Sequence, residues 1–349
     1  MSVLVAHITL GLEEFGLNPH IFGTYDDGNP RTLDLAGHGV SMFFVLSGFL
    51  ITFLLWEEKD RQPIKIRKFY FRRILRIWPL YYIYMLACIG AYFFYDLDIN
   101  SNSIPYYVFF SANIPFITQT TLPFLSHFWS LGVEEQFYLF WPWLNKLSKP
   151  IIKKSILILI GLLIGTKICL HLFSPNSIME LAIHVTRFHC MLIGAYCSIL
   201  FREKHQLFLT FSTHKIVQLI MWGVIFLVGI NRFHIASFLD TEFLSIVTAI
   251  IIIGQVTEKG VISLERPIFN FFGKISYGIY VIHPLLIFIL RDVLREITRN
   301  VYVNYMIVYG VIISLTIILS YLSYTYFEAI FLRLKNKRFT VVRSSPIQK

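Results

Sequence analysis

The chain has 349 residues, of which 56% are hydrophobic, 17% aromatic and only 15% charged. A soluble domain of this length does not need so much apolar surface, whereas each membrane-spanning helix needs roughly 20 mostly apolar residues. The apolar runs are continuous, which excludes a membrane β-barrel, and the net charge of +10 falls between these runs, which argues against a nucleic-acid-binding surface.

The sequence therefore predicts an all-α integral membrane protein, a bundle of about ten transmembrane helices. The loops are too short for a soluble domain, and residues 333–349 are expected to form a basic tail. A cleaved signal peptide is not expected, because the N-terminus lacks a basic region and a small-residue cleavage site. The predicted spans are residues 1–18, 37–56, 77–96, 125–148, 152–173, 181–201, 214–231, 239–257, 275–297 and 301–330.

Lysine and arginine concentrate in alternate loops and in the tail, which includes Arg343 and Lys349. The loops of the other side carry few basic residues, apart from a cluster at 291–299 that Asp292 and Glu296 partly offset. Because basic loops remain in the cytoplasm, both termini are predicted to be cytoplasmic, and the protein to be a multi-pass protein of the inner or plasma membrane. The basic loops of the predicted cytoplasmic side are residues 59–76, 146–154, 202–215 and 259–274.

Three histidines are predicted to lie toward the outer face on neighbouring spans. His7 lies in the outer half of the first span, while His38 and His127 open the second and the fourth. Histidine suits a general base, because its neutral form is available near neutral pH. These residues are candidates for one catalytic site, and three unrelated interfacial histidines are the alternative. Lys167 and His189 also lie within spans, where pairing or hydrogen bonding to the backbone would explain them.

An arginine-rich stretch precedes the third span at the cytoplasmic face. Arg72 and Arg76 are four residues apart and share a helix face, with Arg73 beside them. Guanidinium groups match phosphate oxygens in bidentate geometry, so a polyanion site is one interpretation. An anchor that holds the helix end inside is the other.

Two apolar segments contain small or polar residues. Ser47 and Gly48 would allow a neighbouring helix to approach closely, or would line a narrow passage for a ligand. By helical period Ser276, Tyr280 and His283 share one face, which would line an interior cavity.

Residues 127–142, HFWSLGVEEQFYLFWP, place two adjacent glutamates in an apolar helix. Glu134 falls on the same stripe as His127 and Tyr138, whereas Glu135 is rotated by about 100°. The two are therefore not a paired-carboxylate couple. Glu134 is the candidate for the interior, where it would orient a histidine, and Glu135 is expected to pair with an arginine or a backbone group of another helix.

Six stretches of the sequence, together with the predicted spans, resemble the acyltransferase family 3 of integral membrane proteins. They follow one another in the order of the family and extend over nearly the whole chain. They are HGVSMFFVLSGFLIT (38–52), FYFRRILRIWPLYY (69–82), HFWSLGVEEQFYLFWP (127–142), TRFHCMLIGA (186–195), FGKISYGIYVIHPLL (272–286) and YTYFEAIF (324–331).

This resemblance implies a membrane acyltransferase domain over residues 1–332 that moves an acetyl or other short acyl group from cytoplasmic acetyl-CoA to a hydroxyl. The acceptor would be a surface glycan or a small molecule, with no metal and no nucleic acid involved. His7 matches the catalytic histidine of the family, as general base or as transiently acylated nucleophile, and the three arginines face the CoA phosphates. The residues expected to support the site are Ser130, Tyr138, Arg187, Tyr277, His283 and Glu328.

The sequence departs from the family pattern at two places. The family has an arginine eleven positions before its histidine, which would fall upstream of Met1, so we expect the true start to lie further upstream. Ala329 follows Glu328, where a proline shortly after the glutamate is common in the family. A secondary transporter or flippase is the leading rival, although no internal repeat is evident, and a catalytically inactive scaffold is the third interpretation.

Overall fold

The computed structural model describes residues 1–25, 28–236 and 238–339. In this part of the chain the regular secondary structure is helical, and there is one isolated β-bridge between Thr24 and Pro30. Long apolar segments form helices because a helix satisfies its backbone hydrogen bonds within itself. The helices are α1 (Ser2–Leu10), α2 (Asp34–Arg61), α3 (Ile66–Phe94), α4 (Ile104–Val108), α5 (Asn113–Ile117), α6 (Trp129–Leu144), α7 (Lys149–Phe173), α8 (Ile178–Thr186), α9 (Phe188–Arg202), α10 (Gln206–Ser212), α11 (Lys215–Gly229), α12 (Asp240–Val256), α13 (Pro267–Leu290), α14 (Val301–Leu322) and α15 (Ala329–Arg338).

Six helices in the described residues are long and apolar enough to cross a membrane, or seven if the bent pair α10–α11 is one span. Each of the ten predicted spans contains a helix, but α1, α6 and α12 have only 9, 16 and 17 residues. The first span is shorter than predicted because α1 ends at Gly11, after which residues Leu12–Phe15 form a 3₁₀ turn. The count of ten and the cytoplasmic position of both termini stay predictions.

Ion pairs gather at one end of the bundle, which we call the basic end: the end that carries Arg61, Lys149, Arg202 and Arg338. There Lys149 contacts Asp60 at 2.7 Å, and Arg202 contacts the same carboxylate at 2.8 Å. At the opposite end, the side chain of Asn231 bonds the backbone at Thr32 and Asp34. Basic residues of three loops that the sequence assigns to one side thus meet at the basic end, whereas Arg291, away from that end, contacts Glu14 at 3.8 Å. The predicted tail begins within α15, and its residues 340–349, including Arg343 and Lys349, lie outside the described residues.

Helices α2 and α9 pack with their backbones in direct contact. A Cβ on Gly48 would lie 1.9 Å from the backbone oxygen of Met191, and a Cβ on Gly194 would lie 2.0 Å from that of Val45. Any larger residue at these positions would have to move a backbone. The first interpretation of Gly48, close helix approach, is thus confirmed.

Three interruptions of regular α-helix lie along the bundle. Arg187 has a φ of 45° and separates α8 from α9. Pro284 lies inside α13 and removes one backbone donor, and Ser323–Glu328 form a π-helical turn between α14 and α15. Each interruption lies beside a polar side chain of the candidate site.

Candidate functional site

Three histidines from three distant parts of the chain meet inside the bundle. His7 comes from α1, His127 from the 3₁₀ turn before α6, and His283 from α13. The ring centroids of His7 and His283 are 4.9 Å apart, those of His127 and His283 5.5 Å, and those of His7 and His127 6.5 Å. His127 and His283 are buried, and His7 is partly buried. The predicted convergence of His7 and His127 is therefore present.

The hydrogen bonds fix the tautomers of His7 and His283 when both rings are neutral. Nδ1 of His283 is 2.9 Å from the carbonyl oxygen of Ile279, which can only accept, so this nitrogen carries the proton. Nε2 of His283 is then an acceptor, and Nδ1 of His7, at 2.7 Å, donates to it. This leaves Nε2 of His7 as the unprotonated nitrogen, the form that a general base requires.

Pro284, directly after His283, interrupts the backbone hydrogen bonds of α13 beside the cluster. Pro284 cannot donate to the carbonyl of Tyr280, and the next donor, the N–H of Leu285, lies 3.1 Å from the hydroxyl of Tyr84 on α3. The hydroxyl of Tyr280 donates to the backbone oxygen of His127 at 2.6 Å. Helix α13 thus carries His283 and, through Tyr280, bonds the backbone of His127.

Both ring nitrogens of His127 lack a hydrogen-bond partner among the described residues, although its exposure is only 4%. A buried imidazole without partners is costly, because it loses its hydrogen bonds to water. The ring is therefore placed to bond a molecule that enters the cluster.

A cavity of about 200 Å³ reaches the cluster at His283 and extends to Arg76 of α3. Its polar walls include His283, Ser130, Glu134 and, at the far end, Arg76. Ser276 and Tyr280 also line it, which confirms the cavity-lining face predicted for α13. Apolar side chains make up most of the rest, so the passage suits a thin, largely apolar chain with a charged group at the arginine end.

Glu134 is buried in the cavity wall and accepts hydrogen bonds from Ser47 and Tyr138. The prediction that it orients a histidine is wrong, because its carboxylate bonds these two hydroxyls instead. Glu135 faces α3, as its rotation predicts, but its hydrogen bond at 3.4 Å comes from the indole of Trp78, not from an arginine or the backbone. Its Oε1 has no partner among the described residues.

The structure separates His38 from the histidine cluster. Its ring makes no hydrogen bond or ring contact with His7 or His127, and its charged neighbours are Asp34, Arg187 and Asp240. The prediction that His38 joins the catalytic site is therefore wrong. The prediction used only the depth of His38 along its span, which carries no information on the direction of its side chain around the bundle.

The arginines of α3 face different partners. Arg72 is paired with the buried carboxylate of Glu58 at 3.2 Å. Arg73 lies over the ring of Tyr138, 5.2 Å from its centroid, and its Nε is buried without a partner. Arg76 is exposed at the mouth of the cavity. Arg73 and Arg76 are thus available to a ligand, whereas Arg72 is held by Glu58, a partner that the sequence analysis missed.

The remaining predicted residues lie around this arrangement. Ser130 bonds Tyr280, and the hydroxyl of Tyr277 donates to the carbonyl of Ile77 at 2.8 Å. Arg187 donates to Ser41 at 2.8 Å, on the side of the bundle where His38 lies. Glu328 is buried in the π-turn and accepts from Ser323 at 3.0 Å. Within the described residues, no group of three or more His, Cys, Asp or Glu side chains is placed to hold a metal ion.

Comparison with known proteins gives one family and several relatives. The family model Acyl_transf_3, described as an acyltransferase domain, matches residues 1–325. A peptidoglycan O-acetyltransferase, OatA, of Listeria monocytogenes is 34% identical over 142 residues, which are 36% of this chain and 23% of the relative. The O-acetyltransferase OatA of Staphylococcus aureus is 28% identical over 278 residues, 72% of this chain and 46% of the relative. The chain spans less than half the length of either relative, and no solved structure matches it.

Proposed function

Because this chain belongs to the acyltransferase family Acyl_transf_3, whose model spans residues 1–325, we propose that it is a membrane O-acetyltransferase with acetyl-CoA as the donor and a cell-envelope glycan as the acceptor. The names of its relatives point to peptidoglycan as the first acceptor to test. The observation that carries the proposal is the cavity that extends from Arg76 of α3 to His283 of the histidine cluster.

The donor would enter from the basic end. Arg73 and Arg76 would bind the CoA phosphates through charge-assisted hydrogen bonds, since neither has a carboxylate within salt-bridge distance in the described residues. The apolar passage would hold the pantetheine arm, and the thioester would reach the histidines. A mainly apolar wall favours this arm because burial of each CH₂ group is favourable by about 0.8 kcal/mol.

The chemistry we propose is direct transfer. The acceptor oxygen attacks the thioester carbonyl carbon while Nε2 of His7 takes the hydroxyl proton, and the C–S bond breaks to release CoA thiolate, which regains a proton from His7. His283 holds the required tautomer of His7. His127, with two unpartnered ring nitrogens, is placed to donate to the carbonyl oxygen as negative charge develops there.

The test uses the full chain, purified in detergent, with radiolabelled acetyl-CoA and peptidoglycan fragments. We expect label in the glycan, and a loss of about 100-fold or more in the variant His7→Ala at unchanged melting temperature, the range for removal of a general base. Movement of substrate across vesicles without acetyl-CoA would support the transporter instead. Full activity in His7→Ala would contradict the proposed role of this residue.

A further inference from the structure

A second polar cavity, which we call the α7–α8 pocket, opens at the end of the bundle away from the basic end. It is lined by residues of α7, α8 and the two segments beside them, and its volume is about 330 Å³, within the range of about 300–1,000 Å³ typical of ligand pockets. The lining residues include Lys167, His171, Asn176, Glu180, His184 and Phe238.

The floor of the pocket contains a buried ion pair. Lys167 is 4% exposed and contacts Oε1 of Glu242 on α12 at 2.7 Å. His189 lies 3.1 Å from the same oxygen, yet Oε2 of Glu242 is buried without a hydrogen-bond partner among the described residues. Of this pair, Lys167 lines the pocket and Glu242 lies behind it. An ammonium group has three donors and Glu242 accepts from one, so Lys167 can also donate to a ligand in the pocket.

The rim of the pocket combines fixed polar groups with an aromatic ring. Glu180 accepts hydrogen bonds from His171 at 2.8 Å and from the backbone of Asn176 at 2.6 Å, which fixes its carboxylate in place. The ring of Phe238 stacks on that of His171 with centroids 4.8 Å apart. A carboxylate has about four lone-pair sites, so Glu180 can still accept from a ligand.

One arginine connects this pocket to α2, the helix that also lines the first cavity. Arg187 donates to the backbone oxygen of His184 at 2.8 Å and to Ser41 of α2 at 2.8 Å. Because Gly39, Val40 and Phe43 of α2 line the first cavity, the pocket and that cavity lie against the same helix.

We propose that the α7–α8 pocket is a subsite for a saccharide unit of the acceptor glycan, next to the unit that is acetylated. Interleaved donors and acceptors beside an aromatic ring match a sugar, which has hydroxyl groups at its edge and an apolar face. An anionic ligand fits less well, because Glu180 and Glu242 offset Lys167. This inference rests on the proposed function only in naming the bound sugar as part of the acceptor.

The test measures sugar binding and acetyl transfer separately on the full chain in detergent. The probes are a peptidoglycan-derived tetrasaccharide and the corresponding disaccharide, with binding measured by calorimetry in the absence of acetyl-CoA. The variants are Glu180→Gln and Phe238→Leu, two different changes at the rim, so that one remains informative if the other fails to fold. The control is Glu203→Gln, the same chemical change in an ion pair with Lys153 at the basic end.

We expect both rim variants to raise the tetrasaccharide Kd about tenfold, the size of one lost hydrogen bond to a charged group or of one apolar contact. The disaccharide Kd and the control should not change. In the transfer assay, KM for the tetrasaccharide should rise while kcat and KM for acetyl-CoA stay the same. Wild-type tetrasaccharide affinity in both folded variants, or no tetrasaccharide binding by the wild type, would overturn the subsite.

The two proposals fail in different ways. A wild-type protein that binds the tetrasaccharide but transfers no acetyl group would contradict the proposed function and leave the subsite in place. A wild-type protein that transfers acetyl groups while both rim variants behave like it would contradict the subsite alone.

Discussion

In the proposed transfer His283 would act through His7, because it accepts a hydrogen bond from Nδ1 of His7 and leaves Nε2 free. The change His283→Leu removes this acceptor, and we expect kcat to fall by about 100-fold, within the range of general-base contributions. The matched change His283→Gln keeps an oxygen acceptor at a similar position and should recover part of the loss. Equal losses in the two variants, at equal melting temperatures, would show that the acceptor is not what matters.

We expect the adjacent carboxylates Glu134 and Glu135 to have different roles, Glu134 in activity and Glu135 in folding. Glu134 lies in the cavity wall and holds Ser47 and Tyr138, whereas Glu135 contacts Trp78 outside the cavity lining. We expect Glu134→Gln to lower kcat at least tenfold, since hydrogen bonds to a charged group contribute about 1.5–3 kcal/mol each. Glu135→Gln should lower the melting temperature while activity per folded molecule is retained. The measurements are kinetic assays and thermal melts of both purified variants. Equal losses of activity in the two variants, at wild-type melting temperature, would contradict these different roles.

The sequence identified most of the chemical groups of the site but not all of their partners. Loop charge gives the depth of His7 and His127 in the membrane, and both lie in the cluster. The same depth argument placed His38 there wrongly, because depth carries no information on direction around the bundle. The bond between His7 and His283 joins residues 276 positions apart, and helical period shows which face a residue occupies but not what that face meets.

At the scale of the elements, the contact between α2 and α9 holds the site together. We expect Gly48→Ala to lower the melting temperature, because its Cβ would meet the backbone of Met191 and overpacking costs about 1–3 kcal/mol or more. The control is Gly90→Ala in α3, where a Cβ would meet nothing within 4 Å and helix propensity improves. Equal melting temperatures for Gly48→Ala and the wild type would contradict the close approach.

Helix interruptions set a limit on what hydrophobic pattern can predict. The π-turn Ser323–Glu328 and the left-handed Arg187 lie inside apolar runs that read as continuous spans. The first span was overestimated because apolar residues such as Phe15 and Leu17 continue beyond Gly11, although Glu13 and Glu14 interrupt the run and the helix has ended. An apolar run indicates burial or contact with lipid, and both are compatible with a broken helix.

At the scale of the molecule, we propose that the two ends of the helix bundle have different tasks. The basic end has Arg76 at the cavity mouth, and the other end has the histidine cluster and the α7–α8 pocket. Composition and loop charge were sufficient to predict the helical membrane class and the charge difference between the ends. Helical period predicted one wall of the cavity, on α13, but not its extent, because the other walls come from α1, α2, α3 and α6.

The most direct test places donor and acceptor on opposite sides of a membrane. The full chain is reconstituted into vesicles in one orientation, with radiolabelled acetyl-CoA on the side of the basic end and a peptidoglycan tetrasaccharide on the other. We predict labelled tetrasaccharide, none with His7→Ala, and none when acetyl-CoA is supplied only on the side of the glycan. Label that appears only when donor and acceptor share one side, or equally in His7→Ala, would contradict transfer through the bundle.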